Sequence, residues 1–241
     1  MTSLSAEVLQ KLRSFDTPTI CNLIELFEVR PRNVGFMNGT LQANFPEMPP
    51  MVGFAATATC RTAGEPPQGS SYFGLPDQAE RFAELAGAPV VVFQDLDQPV
   101  CAATFGEVMC TAYQAFGAQG LITSGAGRDL EQVRALNFPV FTGSTIASHG
   151  YIHIIDIHVP VHVGGCFVYP DDLIHGDLNG ITTIPRAIAQ EVAAIGDAFV
   201  AAEKIMLDAL RTEGLTPARF REAIHEARNQ INALREQVRR R

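Results

Sequence analysis

Between residues 51 and 142 short apolar runs alternate with helix-period segments, and this alternation limits the possible folds more than any other feature of the chain. Met51 to Arg61 (MVGFAATATCR) alternates small and apolar residues and predicts a strand. A helical stretch over 77–86 leads into the run APVVVF at 88–93, short and β-branched, which predicts a buried strand. The pattern then repeats: strand 102–105, helix 106–116, strand 120–123, helix 130–136, strand 138–142. Strands and helices in this order predict an α/β core.

The flanks differ in texture. Residues 5–13 predict a short helix, and Asp16-Thr17-Pro18 reads as a cap with proline in the first turn of a second helix reaching Phe27. Residues 29–51 and 62–76 read as loop. From 152 to 184, strands at 159–163, 167–169 and 180–184 are separated by turn-rich segments, predicting a small β-rich barrel or sandwich layer. Pro185 opens a long helix to about Thr212, and Thr216-Pro217 start a last one. Its stripe of Phe220, Ile224, Ala227, Ile231, Leu234 and Val238 fits either an oligomer seam or docking on the chain's own core. The expected division is 1–28 as N-terminal helices, 29–185 as α/β core and 186–241 as a C-terminal helical extension of one domain.

Composition narrows the function classes. A hydrophobic fraction of 46% supplies a core, and a net charge of −8 argues against a nucleic-acid surface. No stretch is apolar enough to span a bilayer, and the first residues read as a helix, not a signal peptide. Five cysteines without CxxC spacing point to reduced thiols and a cytoplasmic setting. Cys101 and Cys110 lack a partner at ligand spacing. His153, His158 and His162 lie close in sequence, but Pro160 interrupts any shared strand face. His175, in LIHGD, invites comparison with a phosphohistidine, but no nucleotide-binding region accompanies it. Neither a GxGxxG loop after a strand nor a GxSxG elbow occurs.

The segment from Gly106 to Asp129 (GEVMCTAYQAFGAQGLITSGAGRD) carries the chemistry. Gly106 stands between a strand and a helix, where free N–H groups and the helix dipole favour an anion. Glu107 lies in that first turn, and Arg128-Asp129 follow the next strand. Arg128 offers a planar fork for a carboxylate, and Asp129 and Glu107 offer the oxygens that Mg²⁺ or Mn²⁺ prefers. Taken singly, each residue also fits a plain structural role, as a helix cap or a first-turn dipole partner.

Glu107, twenty residues, then Arg128-Asp129 resembles the acidic-x20-Arg-Asp signature of the RraA-like family, which includes the class II 4-hydroxy-4-methyl-2-oxoglutarate/4-carboxy-4-hydroxy-2-oxoadipate aldolases. The stretch 161–185 (VHVGGCFVYPDDLIHGDLNGITTIP) is similar to the family's glycine- and Asp-rich β segment. The resemblance implies a β/β/α swivelling-domain core with N- and C-terminal helices, assembled as a homotrimer or hexamer with sites between subunits. It implies a metal-dependent lyase on small 2-oxo acids, releasing pyruvate by retro-aldol cleavage or decarboxylating oxaloacetate. Asp129 would then bind the metal, Glu107 would hold metal-bound water and Arg128 would contact substrate. The backbone at Gly106, Val108 and Met109 would cradle the carboxylate, and Glu203 of a neighbouring subunit would help hold the metal's waters. For Glu203 an exposed helix flank is the competing reading. The family also contains regulators that bind a ribonuclease and do no chemistry. Ser124-Gly125 and Pro170-Asp171-Asp172 depart from the common Asp-Gly and Pro-Gly-Asp, which bears on substrate more than fold.

Overall fold

The computed structural model describes residues 4–66 and 74–239. Helices α1 (Ala6–Arg13) and α2 (Thr17–Glu25) come first. The Asp16 carboxylate accepts from Thr19 N at 2.8 Å and Pro18 sits in the first turn of α2, as the sequence predicts. Then follow β1 (Gln42–Ala43), β2 (Met51–Arg61), α3 (Leu75–Glu80), β3 (Pro89–Asp95), β4 (Ala103–Phe105), α4 (Glu107–Ala115), β5 (Leu121–Thr123), β6 (Ala126–Gly127), α5 (Leu130–Ala135), β7 (Val140–Thr142) and β8 (Ser144–Thr145). The remainder is β9 (His153–Ile157), β10 (Val161–Val163), β11 (Cys166–Val168), β12 (Leu173–Asp177), β13 (Gly180–Ile184), α6 (Ala189–Leu210) and α7 (Pro217–Arg239). The expected loop over 62–76 lies partly outside the described residues, as do Arg240 and Arg241.

The main sheet runs in the order β1-β7-β5-β3-β2-β12-β13, with β9 also paired to β2. Its centre, β2-β3-β5-β7, is parallel, which is why these strands read as continuous apolar runs with both faces covered. The period of two assigns the faces. Val52, Phe54, Ala56 and Ala58 of β2, with Val91 and Phe93 of β3, pack against helices. Met51 and Ala55, with Val90 and Val92, fill the opposite concave face together with Ile122, Phe141 and Ile174.

The expected separate β-rich layer over 152–184 is not what forms. Strands β9, β12 and β13 join the same sheet through antiparallel pairing, and only β10–β11 stands off, as a hairpin whose Val161, Val163 and Val168 plug the concave face. The segment 36–43 closes the figure. Phe36 bridges to Thr182 and Met37 N donates to Ile181 O at one edge, while Gln42 and Ala43 pair with β7 at the other. The result is a mixed α/β fold with a nearly closed, barrel-like sheet.

Of the two readings of α7, docking within the chain is realised. Ala223 and Ala227 are buried, and Ile231, Leu234 and Val238 pack against the cluster shared by α1, α2 and α6. Among the described residues no helix is long and apolar enough to cross a membrane.

Candidate active site

Beyond the ends of β5 and β7 the chain continues into a second, three-stranded parallel sheet, β4-β6-β8. The switch from one sheet to the other falls at Ser124-Gly125 and at Gly143, where ladder hydrogen bonds lapse. Hydroxyls take over those backbone groups. Thr123 Oγ1 accepts from Gly125 N at 2.9 Å and donates to Thr104 Oγ1 at 3.1 Å, while Thr142 Oγ1 donates to Gly125 O. A Cβ on Gly125 would lie 2.1 Å from Thr104 Oγ1, so only glycine fits this crossing.

The small sheet brings the ends of β4 and β6 side by side, and with them the two halves of the motif. Arg128 N donates to Phe105 O at 3.1 Å. Asp129 adopts the left-handed region (φ 53°) and makes no side-chain cap to its own helix α5. Its Oδ2 instead accepts from Glu107 N, 3.1 Å away at the start of α4, and lies 3.7 Å from Arg128 Nε. Gly106 is required by this approach: its φ of −152° is ordinary, but a Cβ there would stand 2.5 Å from Asp129 Oδ2.

Gly106, Glu107, Arg128 and Asp129 thus meet, as the spacing predicts. Contact runs through the backbone of Glu107, whose side chain is exposed. Arg128 and Asp129 keep side-chain exposures of 25% and 36%, so both side chains reach solvent in part, while Arg128 Nε itself is buried and has no hydrogen-bond partner among the described residues. Cys110 N makes the first bond inside α4, to Gly106 O at 3.0 Å. The N–H groups of Val108 and Met109 therefore have no partner within the helix. Val108 is exposed and Met109 buried. Burial and then the Asp129 charge push the Cys110 thiol upward, so it stays neutral beneath the site.

Two oxygen-bearing side chains from one chain suit Mg²⁺ or Mn²⁺, which keep several waters and need few protein ligands. Among the described residues no group of three or more His, Cys, Asp or Glu could hold an ion. Cys101 is exposed beside Thr62, apart from Cys110. The histidines disperse: His153 bonds Tyr151 O, His158 pairs with Glu84, and His162 stacks on Phe167. His175 is fully buried, which removes the phosphohistidine comparison. Glu203 lies in its own chain by Asp16 and Asn22 of α2, its carboxyl raised first by burial and then by Asp16.

One supporting residue escapes notice in the sequence. Asp95, at the end of β3, is 2% exposed. Its N–H is held by Ser124 Oγ at 2.9 Å, its Oδ1 accepts from Asp97 N, and its Oδ2 has no hydrogen-bond partner among the described residues. Burial raises its carboxyl. It braces the turn that carries the chain into β6. The available signal was an acid directly ending the most apolar strand.

A nearly closed sheet with helices outside, and a guanidinium and carboxylates brought together at paired strand ends, defines the class: a mixed α/β protein of barrel-like sheet. The chain belongs to the RraA-like family, whose Aldolase/RraA profile matches residues 17–183. Over 88 residues (36% of this chain) it is 39% identical to a Halalkalibacterium halodurans protein provisionally named 4-hydroxy-4-methyl-2-oxoglutarate aldolase, and the match spans 42% of that protein's length. Two solved structures share the fold. An uncharacterised protein from Pseudomonas syringae pv. tomato str. DC3000 aligns with a TM-score of 0.69 at 21% identity, covering 92% of this chain and 95% of that one. RraAS2 of Streptomyces coelicolor aligns with a TM-score of 0.65 at 22% identity, covering 88% and 100%.

Proposed function

We propose that this chain is a lyase of small 2-oxo acids, cleaving 4-hydroxy-2-oxo acids to pyruvate or decarboxylating oxaloacetate, with a divalent cation at Asp129 and Glu107. The observation that carries the reading is the left-handed turn at Asp129, which spends backbone strain to aim a carboxylate at the start of α4 instead of capping α5. The name borne by the Halalkalibacterium halodurans relative agrees with it.

The substrate carboxylate docks on the N–H groups of Val108 and Met109, where the helix dipole favours an anion. Arg128, through the solvent-exposed part of its guanidinium, hydrogen-bonds the 2-oxo oxygen, on which negative charge grows as the carbon–carbon bond breaks. The broken bond's electron pair passes into the pyruvate enolate. Glu107, exposed at the same edge, relays through water the proton that leaves the 4-hydroxyl and returns one to the enolate carbon. When bound, Mg²⁺ or Mn²⁺ supplies Lewis acidity for that growing charge. Decarboxylation of oxaloacetate produces the same enolate and needs no second site. In a homotrimer or hexamer, Glu203 of a neighbouring subunit would add an oxygen donor.

The alternative is a non-catalytic regulator that binds a ribonuclease. It draws on the fold shared with RraAS2, described as an unusual member of the RNase ES inhibitor RraA protein family. Incubating purified protein with oxaloacetate and with 4-hydroxy-4-methyl-2-oxoglutarate, in Mg²⁺ and in chelator, separates the two. Pyruvate release that needs the metal is expected. No turnover of either acid, with tight binding to a ribonuclease, would overturn the lyase.

A further inference from the structure

A second positively charged site lies outside the Gly106–Asp129 cluster. A cleft of about 270 Å³ opens between α2 and the loop that follows it, walled by Ile24, Val34 and Phe36 and carrying Glu25, Arg30 and Arg32. Arg32 Nε pairs with Glu25 at 3.2 Å, so these two charges offset. Arg30 makes no ion pair among the described residues. Its NH1 donates to Thr183 Oγ1 at 2.9 Å and its NH2 to Thr182 Oγ1 at 3.2 Å. Both hydroxyls are themselves tied to Gly35 O. The guanidinium lies so flat on Gly35 that a Cβ there would stand 2.0 Å from NH1, and the φ of 87° at Gly35 suits glycine alone.

This is a built arrangement around an unpaired charge. Burial lowers the Arg30 pKa from its ordinary value, and its electrostatic neighbours, Cys21, Cys166 and Asp172, act on it only through space. The carboxylate among these, Asp172, accepts from Tyr169 N at 2.8 Å, makes no ion pair with Arg30, and has its carboxyl raised chiefly by burial. Two of the five N–H groups of the guanidinium are used. A half-buried cation, fixed in plane with donors to spare, costs free energy unless an anion meets it.

We propose that the Arg30 cleft binds a small oxyanion, a carboxylate or a phosphate, through the guanidinium fork. The apolar walls take any hydrocarbon part, and the two threonines fix the plane of the fork. The site shares no residue with the proposed catalytic cluster and is tested by binding, independently of turnover.

Isothermal titration of the whole protein at low chloride, with inorganic phosphate and separately with pyruvate, reads the binding directly. Saturable binding of at least one probe is expected, weakened about tenfold or more by Arg30→Met. Arg221→Met, which removes an exposed guanidinium on α7 outside the cleft, leaves it nearly unchanged. Phosphate alone binding marks a tetrahedral ligand; pyruvate alone marks a planar carboxylate. If Arg30→Met does not fold, Arg30→Lys keeps the charge, loses the fork and carries the comparison. Crystals soaked in phosphate or pyruvate then place the anion. Absence of saturable binding, binding that Arg30 variants leave unchanged, or a carboxylate of a second copy seated on Arg30 would each overturn the proposal.

Discussion

At the scale of single residues, Asp129 holds a left-handed backbone that a non-glycine residue adopts at a cost of about 1 kcal/mol. Asp129→Gly removes both that strain and the bond to Glu107 N. Urea unfolding is therefore expected to shift by less than about 1 kcal/mol, while pyruvate release falls by about 100-fold or more. A large loss of stability with retained turnover would show that Asp129 is structural. His175 makes a different demand. Its Nδ1 lies 2.9 Å from Thr17 Oγ1 and its Nε2 3.2 Å from Leu12 O, so the neutral ring donates to the carbonyl and accepts from the hydroxyl. Burial is the main cause that lowers its pKa. The folded protein then binds fewer protons here than the unfolded chain. Its contribution is complete above about pH 6.5 and is lost as pH falls from there toward the folded value. Unfolding midpoints compared at pH 5.5 and 7.5 should show this slope, and His175→Gln should flatten it. The residue types at 106, 107, 128 and 129 could be read in advance because their spacing follows the strand–helix repeat. Asp95 and Thr104 could not, because their roles come from neighbours far along the chain.

At the scale of elements, caps and periods did the local work. Asp16 and Pro18 start α2, and the apolar runs of β2 and β3 are strands because helices cover one face and the hairpin and closing segment fill the other. The stripe on α7 illustrates where periodicity stops being informative: it specifies a buried face without naming what buries it. The structure assigns that partner to α6 and the N-terminal helices, with Arg239 reaching Glu28 at 2.6 Å. Ala227, fully buried in that seam, tests the assignment. Ala227→Asp places an unpaired charge there and should cost about 3 kcal/mol or more. Limited proteolysis should then cut α7 first, while the sheet resists.

For the whole molecule, closure of the sheet sets the site. The segment 36–43 ties β13 to β7, and the concave face it completes is filled by side chains from β2, β3, β5, β7 and β12. Phe141, 2% exposed in that cluster, should prove among the most costly positions, with Phe141→Ala lowering stability by about 3–5 kcal/mol in chemical denaturation. A cost below about 1 kcal/mol would mean that the concave face is not a packed core. The sequence by itself determined the strand–helix order, the α/β core and the motif spacing, because hydrophobic period and capping are local properties of the chain. Only the tertiary structure decided that β9, β12 and β13 enter the main sheet, that β6 leaves it, and that Asp129 turns toward Glu107. Those outcomes rest on pairing between strands distant in sequence and on close backbone contacts, which no local pattern encodes.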